Sequence, residues 1–310
     1  MSNTLDLGEV VDYTPTPTAN SSINLVLKVV GPLSILGCLV NIALTLLLGK
    51  SKVILGKMVI MLAIFDLCTH IPLVLYSFEA TLSRFTCEQI GSWVEYFGFA
   101  SSAFFTTCFA HSLYNSLKRG SVDCLSQYFM RYIGLAITLG VVVGTSSVTF
   151  QFNEYTQISR GESFCQPRQQ GEFLWSSLLM MLIPGVINIF GCLFYYIPTI
   201  RMLRLLEEKQ HWGLLFYPLI LVICISPSMV RRFYLLLGFN ITNIVYLQIS
   251  RGLYGAQGFL NSLAFGLSRE ICQACCPAPT KKAPESLTSS FASSLAQSFK
   301  SVENENFSKS

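Results

Sequence analysis

The chain is short of charge. Asp, Glu, Lys and Arg make up 12% of its 310 residues, against 52% hydrophobic, where a soluble domain carries roughly a quarter charged residues. A water-facing globular surface cannot be built from that balance, and no nucleic-acid partner is expected. Histidine is also scarce: His70, His111 and His211 are the three, and they fall on different runs at different depths. A seven-span metal-dependent hydrolase needs several His, Asp or Glu ligands near one interface, so no metal, no other cofactor and no catalytic residue is expected. Lysine is missing from the last apolar run, 243–267, where a retinal-binding light-driven protein would hold its Schiff-base amine. The first 22 residues contain no cysteine, which excludes a disulfide-rich ligand-binding ectodomain ahead of the first run. That stretch also lacks a basic segment leading into a short apolar one, so the first run is expected to serve as its own signal-anchor. No repeat relates the two halves, as a repeat-built transporter would show.

What the chain has is long apolar runs. Seven can cross a bilayer core, at about 23–49, 57–79, 88–113, 129–150, 173–199, 213–237 and 243–267. Lys and Arg gather in alternate connections: Lys50, Lys52 and Lys57; Lys118, Arg119 and Arg131; Arg201, Arg204 and Lys209; Arg269, Lys281 and Lys282. The opposite connections hold mainly Arg84, Arg160 and Arg168. The bias of basic residues toward the cytoplasm then places the N-terminus outside and the C-terminus inside. Two glycosylation sequons, at Asn20 and Asn240, fall on the expected outer side, and a third, at Asn306, falls inside. The expectation is an all-α membrane protein: a seven-transmembrane helix bundle, multi-pass in the plasma membrane and in contact with its lipids. Residues 1–22 read as a disordered outer tail, 23–267 as the bundle, 268–276 as a juxtamembrane amphipathic segment and 277–310 as a disordered Ser-rich cytoplasmic tail.

The third run organises the rest. Its middle is small, with Gly98, Ala100, Ser101, Ser102 and Ala103, and small residues let helices approach closely where lipid offers no hydrophobic drive for association. It is therefore expected to be the central pillar. Cys87 at its outer end and Cys165 in the long outer loop 151–172 face an oxidising compartment, and a disulfide between them would clamp that loop over the pillar.

Ionisable residues inside the runs are costly and mark partners or function. Asp66 lies near the middle of the second run, either satisfied by Ser, Asn or water between helices or serving as an ion site or switch. His70, one turn further out, reads as interhelical glue. Pro184 should kink the fifth run and Pro227 the sixth. Lys28, Arg231, Arg232 and Arg251 sit in the outer half of their runs, with Glu95 and His70 at neighbouring depth. Pointing inward they would line a cationic cavity for a small anionic ligand, with Arg251, the deepest, as the foremost candidate. The competing reading has the arginines snorkelling to headgroups or pairing with Glu95, Glu79 or Glu172. At the inner ends, Lys118, Arg119, Arg201 and Arg204 form a basic face, which topology alone also produces. Beyond the bundle, Cys272, Cys275 and Cys276 are either S-palmitoylation sites or free thiols, and the tail serines are candidate phosphorylation sites.

The run from Gln257 through Gly258 and Asn261 to Gly266, QGFLNSLAFG, resembles the seventh-helix signature shared by cyclic-AMP-receptor-like and secretin/adhesion-type G-protein-coupled receptors. Tyr217-Pro218-Leu219-Ile220 and Phe164-Cys165-Gln166-Pro167 are similar to the same group, and the cysteine-free tail favours the cyclic-AMP-receptor-like branch. There is no Asp-Arg-Tyr after the third run, no Asn-Pro-x-x-Tyr in the seventh, and no tryptophan in the fourth. The resemblance implies an extracellular small-molecule ligand, a rearranging bundle and a heterotrimeric G protein inside. In that scheme Asp66, Pro227, Gln257, Gly258 and Asn261 form the switch and bundle core. The alternative is a non-signalling seven-span membrane protein such as a transporter.

Overall fold

A computed structural model of the chain describes residues 17–49, 54–78, 85–119, 123–149, 153–157, 163–167, 173–205, 212–237 and 243–266. Seven long helices fall on the seven apolar runs: α1 Pro17–Leu47, α2 Ile54–Ser77, α3 Ser92–Arg119, α4 Asp123–Thr149, α5 Phe173–Leu205, α6 Trp212–Leu236 and α7 Ile244–Gly266. A π-helical segment, Thr86–Gly91, leads into α3 without a break. Among the described residues, five stretches are long and apolar enough to cross a membrane: Leu25–Leu47, Gly56–Ser77, Tyr128–Thr149, Leu182–Met202 and Phe216–Tyr234. The chain is thus an almost entirely helical, multi-pass membrane-type protein. Its burial is inverted accordingly. Leu36, Leu47, Phe190, Phe194 and Phe233 lie bare on the outside while Asn41, Asp66, His70, Ser101, Ser102 and Asn261 are buried. A large exposed apolar surface of this kind is what hydrocarbon, rather than water, would cover.

Two boundaries differ from the sequence reading. α1 begins at Pro17, inside the stretch taken for tail, because proline at the first helical position has its φ set for the helix and no amide hydrogen to leave unpaired. The loop 151–172 contains an antiparallel hairpin, β1 Asn153–Gln157 with β2 Ser163–Pro167, in which Tyr155 pairs with Cys165. The β-branched and aromatic residues there suit a ladder, but a five-residue strand is too short for its pattern to stand out from a loop. The hairpin packs beside Thr86–Gly91, which gives the bundle a hairpin end and an opposite end. The fifth helix continues past its apolar run through Arg201 and Arg204.

The packing centres on α3, which contacts α2, α4, α5 and α6. Gly98, Ala100, Ser101, Ser102 and Ala103 are all buried. A Cβ added at Gly98 would sit 2.6 Å from the Thr69 amide nitrogen and 2.8 Å from the Phe65 carbonyl oxygen, closer than side-chain atoms approach backbone. Helix α2 therefore rides directly on this glycine. A second close crossing joins α1 to α7, where a Cβ on Gly258 would meet Cys38 Sγ at 2.7 Å and the Ser34 carbonyl at 3.0 Å. The Ser34 hydroxyl seals it by donating to the Gly255 carbonyl and accepting from the Phe259 amide at 3.2 Å. Both crossings follow the small-residue logic of membrane helices.

Candidate functional site

Three polar levels succeed one another along α3. From Glu95 to Ser102 is roughly 10 Å, and from Ser102 to His111 roughly 13 Å, at about 1.5 Å per residue.

The middle level is built on Asp66 of α2. Ser102 of α3 donates to its Oδ1 at 2.5 Å, and Gln257 of α7 donates to the same oxygen at 3.2 Å. Asn261, one turn further along α7, donates to Oδ2 at 2.9 Å. Gln257 also reaches the Ser102 hydroxyl, at 3.3 Å. Three helices are thereby tied to one carboxylate by neutral donors, and the spacing of Gln257 and Asn261 by four residues places both on one face of α7. Asn261 Oδ1, also enclosed, has no hydrogen-bond partner. Of the two sequence readings of Asp66, satisfaction by Ser and Asn side chains is the arrangement seen. Ser102 is the member that sequence reasoning did not single out as a partner. Its signal was present, since it lies among the small residues that were expected to face neighbouring helices.

The hairpin-end level gathers Glu95 and Tyr96 of α3, Arg231 and Arg232 of α6, and Arg251 and Tyr254 of α7. Arg232 hydrogen-bonds Tyr96, whose hydroxyl also lies in the fields of Glu95 and Arg251. Arg251 has Glu95 as its neighbouring carboxylate. Arg231 has Arg251 and Arg232 as charged neighbours, with Tyr246 alongside. The structure thus brings together four of the residues singled out from sequence, Arg231, Arg232, Arg251 and Glu95. Lys28 sits half-buried on α1, the helix packed against α7. His70 is 1% exposed and stacks edge-on to Tyr254, with ring centroids 6.5 Å apart. Among the described residues neither of its ring nitrogens has a hydrogen-bond partner, so its contact with α7 is made by the ring. It packs as a ring between the middle and hairpin-end levels.

The Pro227 region of α6 joins these levels. Pro227 lies inside the helix and contributes no amide hydrogen to it. The Tyr246 hydroxyl of α7 donates to the Pro227 carbonyl at 2.6 Å, and Ser228 meets Ser250 of α7 at 3.0 Å. Both contacts hold α7 to the segment of α6 that leads into Arg231 and Arg232.

At the opposite end, His111 bridges Tyr132 of α4, 2.5 Å from Nδ1, and Asn115, 2.8 Å from Nε2. Its ring lies 4.7 Å from that of Tyr195 on α5, and Tyr114 and Tyr128 extend the aromatic group. This cluster was missed from sequence. His111 and Asn115 at four-residue spacing were a local sign of it, but Tyr132 and Tyr195 come from other helices. Lys118 is exposed with its amine 5.8 Å from the Tyr114 ring centre, and Arg201 is exposed. The side chains of Arg119, Arg204, Cys87, Cys165 and Asn20 lie outside the described residues, as do Asn240, Cys272, Cys275 and Cys276.

Comparison with protein-family models and with characterised proteins finds no match for this chain.

Proposed function

We propose that the chain is a cell-surface receptor of the cyclic-AMP-receptor-like G-protein-coupled class. All seven helices cross the plasma membrane, the hairpin end faces outside, and the opposite end engages a heterotrimeric G protein. The observation that carries this reading is the tie between Asp66 and α7. Gln257 and Asn261 belong to the run whose residues resemble the receptor signature, and they are the side chains that hold the buried carboxylate. A fully enclosed polar junction between α2, α3 and α7 has few alternative arrangements, so its hydrogen bonds can be exchanged for another set but not gradually stretched. That property suits a two-state transmitter placed between an outer arginine level and an inner aromatic one. α3 and α7, which carry these core polar side chains, are the two helices outside the five apolar stretches, and a helix surrounded by others need not be apolar all round.

The test is guanine-nucleotide exchange on a panel of heterotrimeric G proteins, with the full chain in membranes and small anions including cyclic AMP as candidate agonists. An agonist should drive exchange in the wild type. Asp66→Asn should change the agonist-driven rate at least about fivefold with surface level intact, the size expected of a coupling element. Absence of exchange with every G protein, together with ligand-dependent uptake into vesicles, would replace the receptor by a transporter.

A further inference from the structure

We propose that Arg231, rather than Arg251, is the anchor for an anionic group of a ligand bound at the hairpin-end level. The inference rests on the receptor reading only for the biological use of the site, since the binding itself is independent of signalling. The three guanidiniums of this level are not equivalent. Arg251 has Glu95 beside it, and Arg232 has the Tyr96 hydroxyl. Among the described residues, Arg231 has only cations as charged neighbours, and its enclosed Nε has no hydrogen-bond partner. Among the described residues the level therefore holds three guanidiniums against one carboxylate. A guanidinium partly withdrawn from water, with its Nε enclosed, gains from a partner there, and its planar fork fits a carboxylate or phosphate through two parallel hydrogen bonds. The missing partner is an anion.

A second observation lies next to the same level of the bundle, on the side of Arg232 and Glu95. Below the arginines, both ring nitrogens of His70 and the Tyr254 hydroxyl are enclosed without hydrogen-bond partners. Tyr254 joins the two groups, since it stacks on His70 and lies in the fields of Glu95, Tyr96 and Arg232. Unfilled neutral donors and acceptors beneath an unfilled cation describe a ligand with an anionic head and an uncharged hydrogen-bonding remainder. Phe99, whose ring centroid is 5.9 Å from that of Tyr254, adds an aromatic wall.

The experiment uses the purified full chain in lipid nanodiscs and inorganic phosphate as probe, with chloride replaced to hold ionic strength constant. Thermal unfolding of the wild type should shift upward with phosphate. Arg231→Met should abolish that shift, or weaken the phosphate midpoint at least about tenfold, as expected for loss of charged hydrogen bonds. Arg231→Met should also melt higher than the wild type in the absence of phosphate, because a partly buried cation beside two other guanidiniums is removed. Arg251→Met should melt lower, because Glu95 then loses its neighbouring cation, and should still respond to phosphate. A wild type indifferent to phosphate, an undiminished phosphate shift in Arg231→Met, or loss of the shift in Arg251→Met alone would each overturn the assignment. A phosphate response without nucleotide exchange would instead leave the anion site standing and remove the receptor reading.

Discussion

The middle and hairpin-end levels of the bundle both enclose ionisable side chains, and they treat them in opposite ways. Asp66 is surrounded by neutral donors from two other helices, and both of its oxygens are filled. Among the described residues, Arg231 has two arginines as charged neighbours and an enclosed nitrogen unfilled. The difference sets two arrangements of an ionisable group side by side. One that is answered from within the chain holds helices in register, whereas the one left unanswered is the group proposed above to take an anion. The depth of a charged residue does not distinguish these cases, since either would be costly in hydrocarbon without a partner.

The comparison breaks most visibly at Asp66. Asp66→Ala leaves the Ser102, Gln257 and Asn261 donors without their acceptor, and should lower the unfolding free energy of the full chain by about 2–4 kcal/mol, measured by denaturant titration in micelles. If the loss were negligible, the middle level would not be the structural tie described. Asn261→Ala removes one donor at 2.9 Å and should cost about 1 kcal/mol by the same titration, with Gln257→Ala, at 3.2 Å, costing less. A reversal of that order would make the hydroxyl contact of Gln257 the more important one. The smallest effect is expected at the opposite end. His111→Phe keeps the ring stack on Tyr195 but loses the Tyr132 and Asn115 contacts, for a loss of about 0.5–1 kcal/mol. A loss as large as that at Asp66 would show that this aromatic group, too, is a main tie of the bundle.

How far these levels were legible differs with how local their causes are. The small stretch from Gly98 to Ala103 announced the pillar, because close helix packing requires small side chains wherever it occurs. The depth of Asp66 announced a buried carboxylate with a partner, and the signature run put Gln257 and Asn261 on the same list. The hairpin 153–167 was not legible, because two five-residue strands leave no periodicity long enough to read. Nor was the His111 cluster, whose tyrosines come from helices about 20 and 80 residues away in the chain. His70 was read as interhelical glue, and only the neighbouring helix decided that it meets α7 through the ring of Tyr254.

By itself the sequence determined that the chain lives in a membrane, where its helices run, and which of them must pack closely. Those properties follow from composition, run length and side-chain size, and each is local. The tertiary structure alone decided which of the three hairpin-end arginines has a carboxylate beside it among the described residues. Pairing is set by how α3, α6 and α7 are rotated against one another, and that rotation is the sum of many contacts across the bundle that no single stretch of sequence contains.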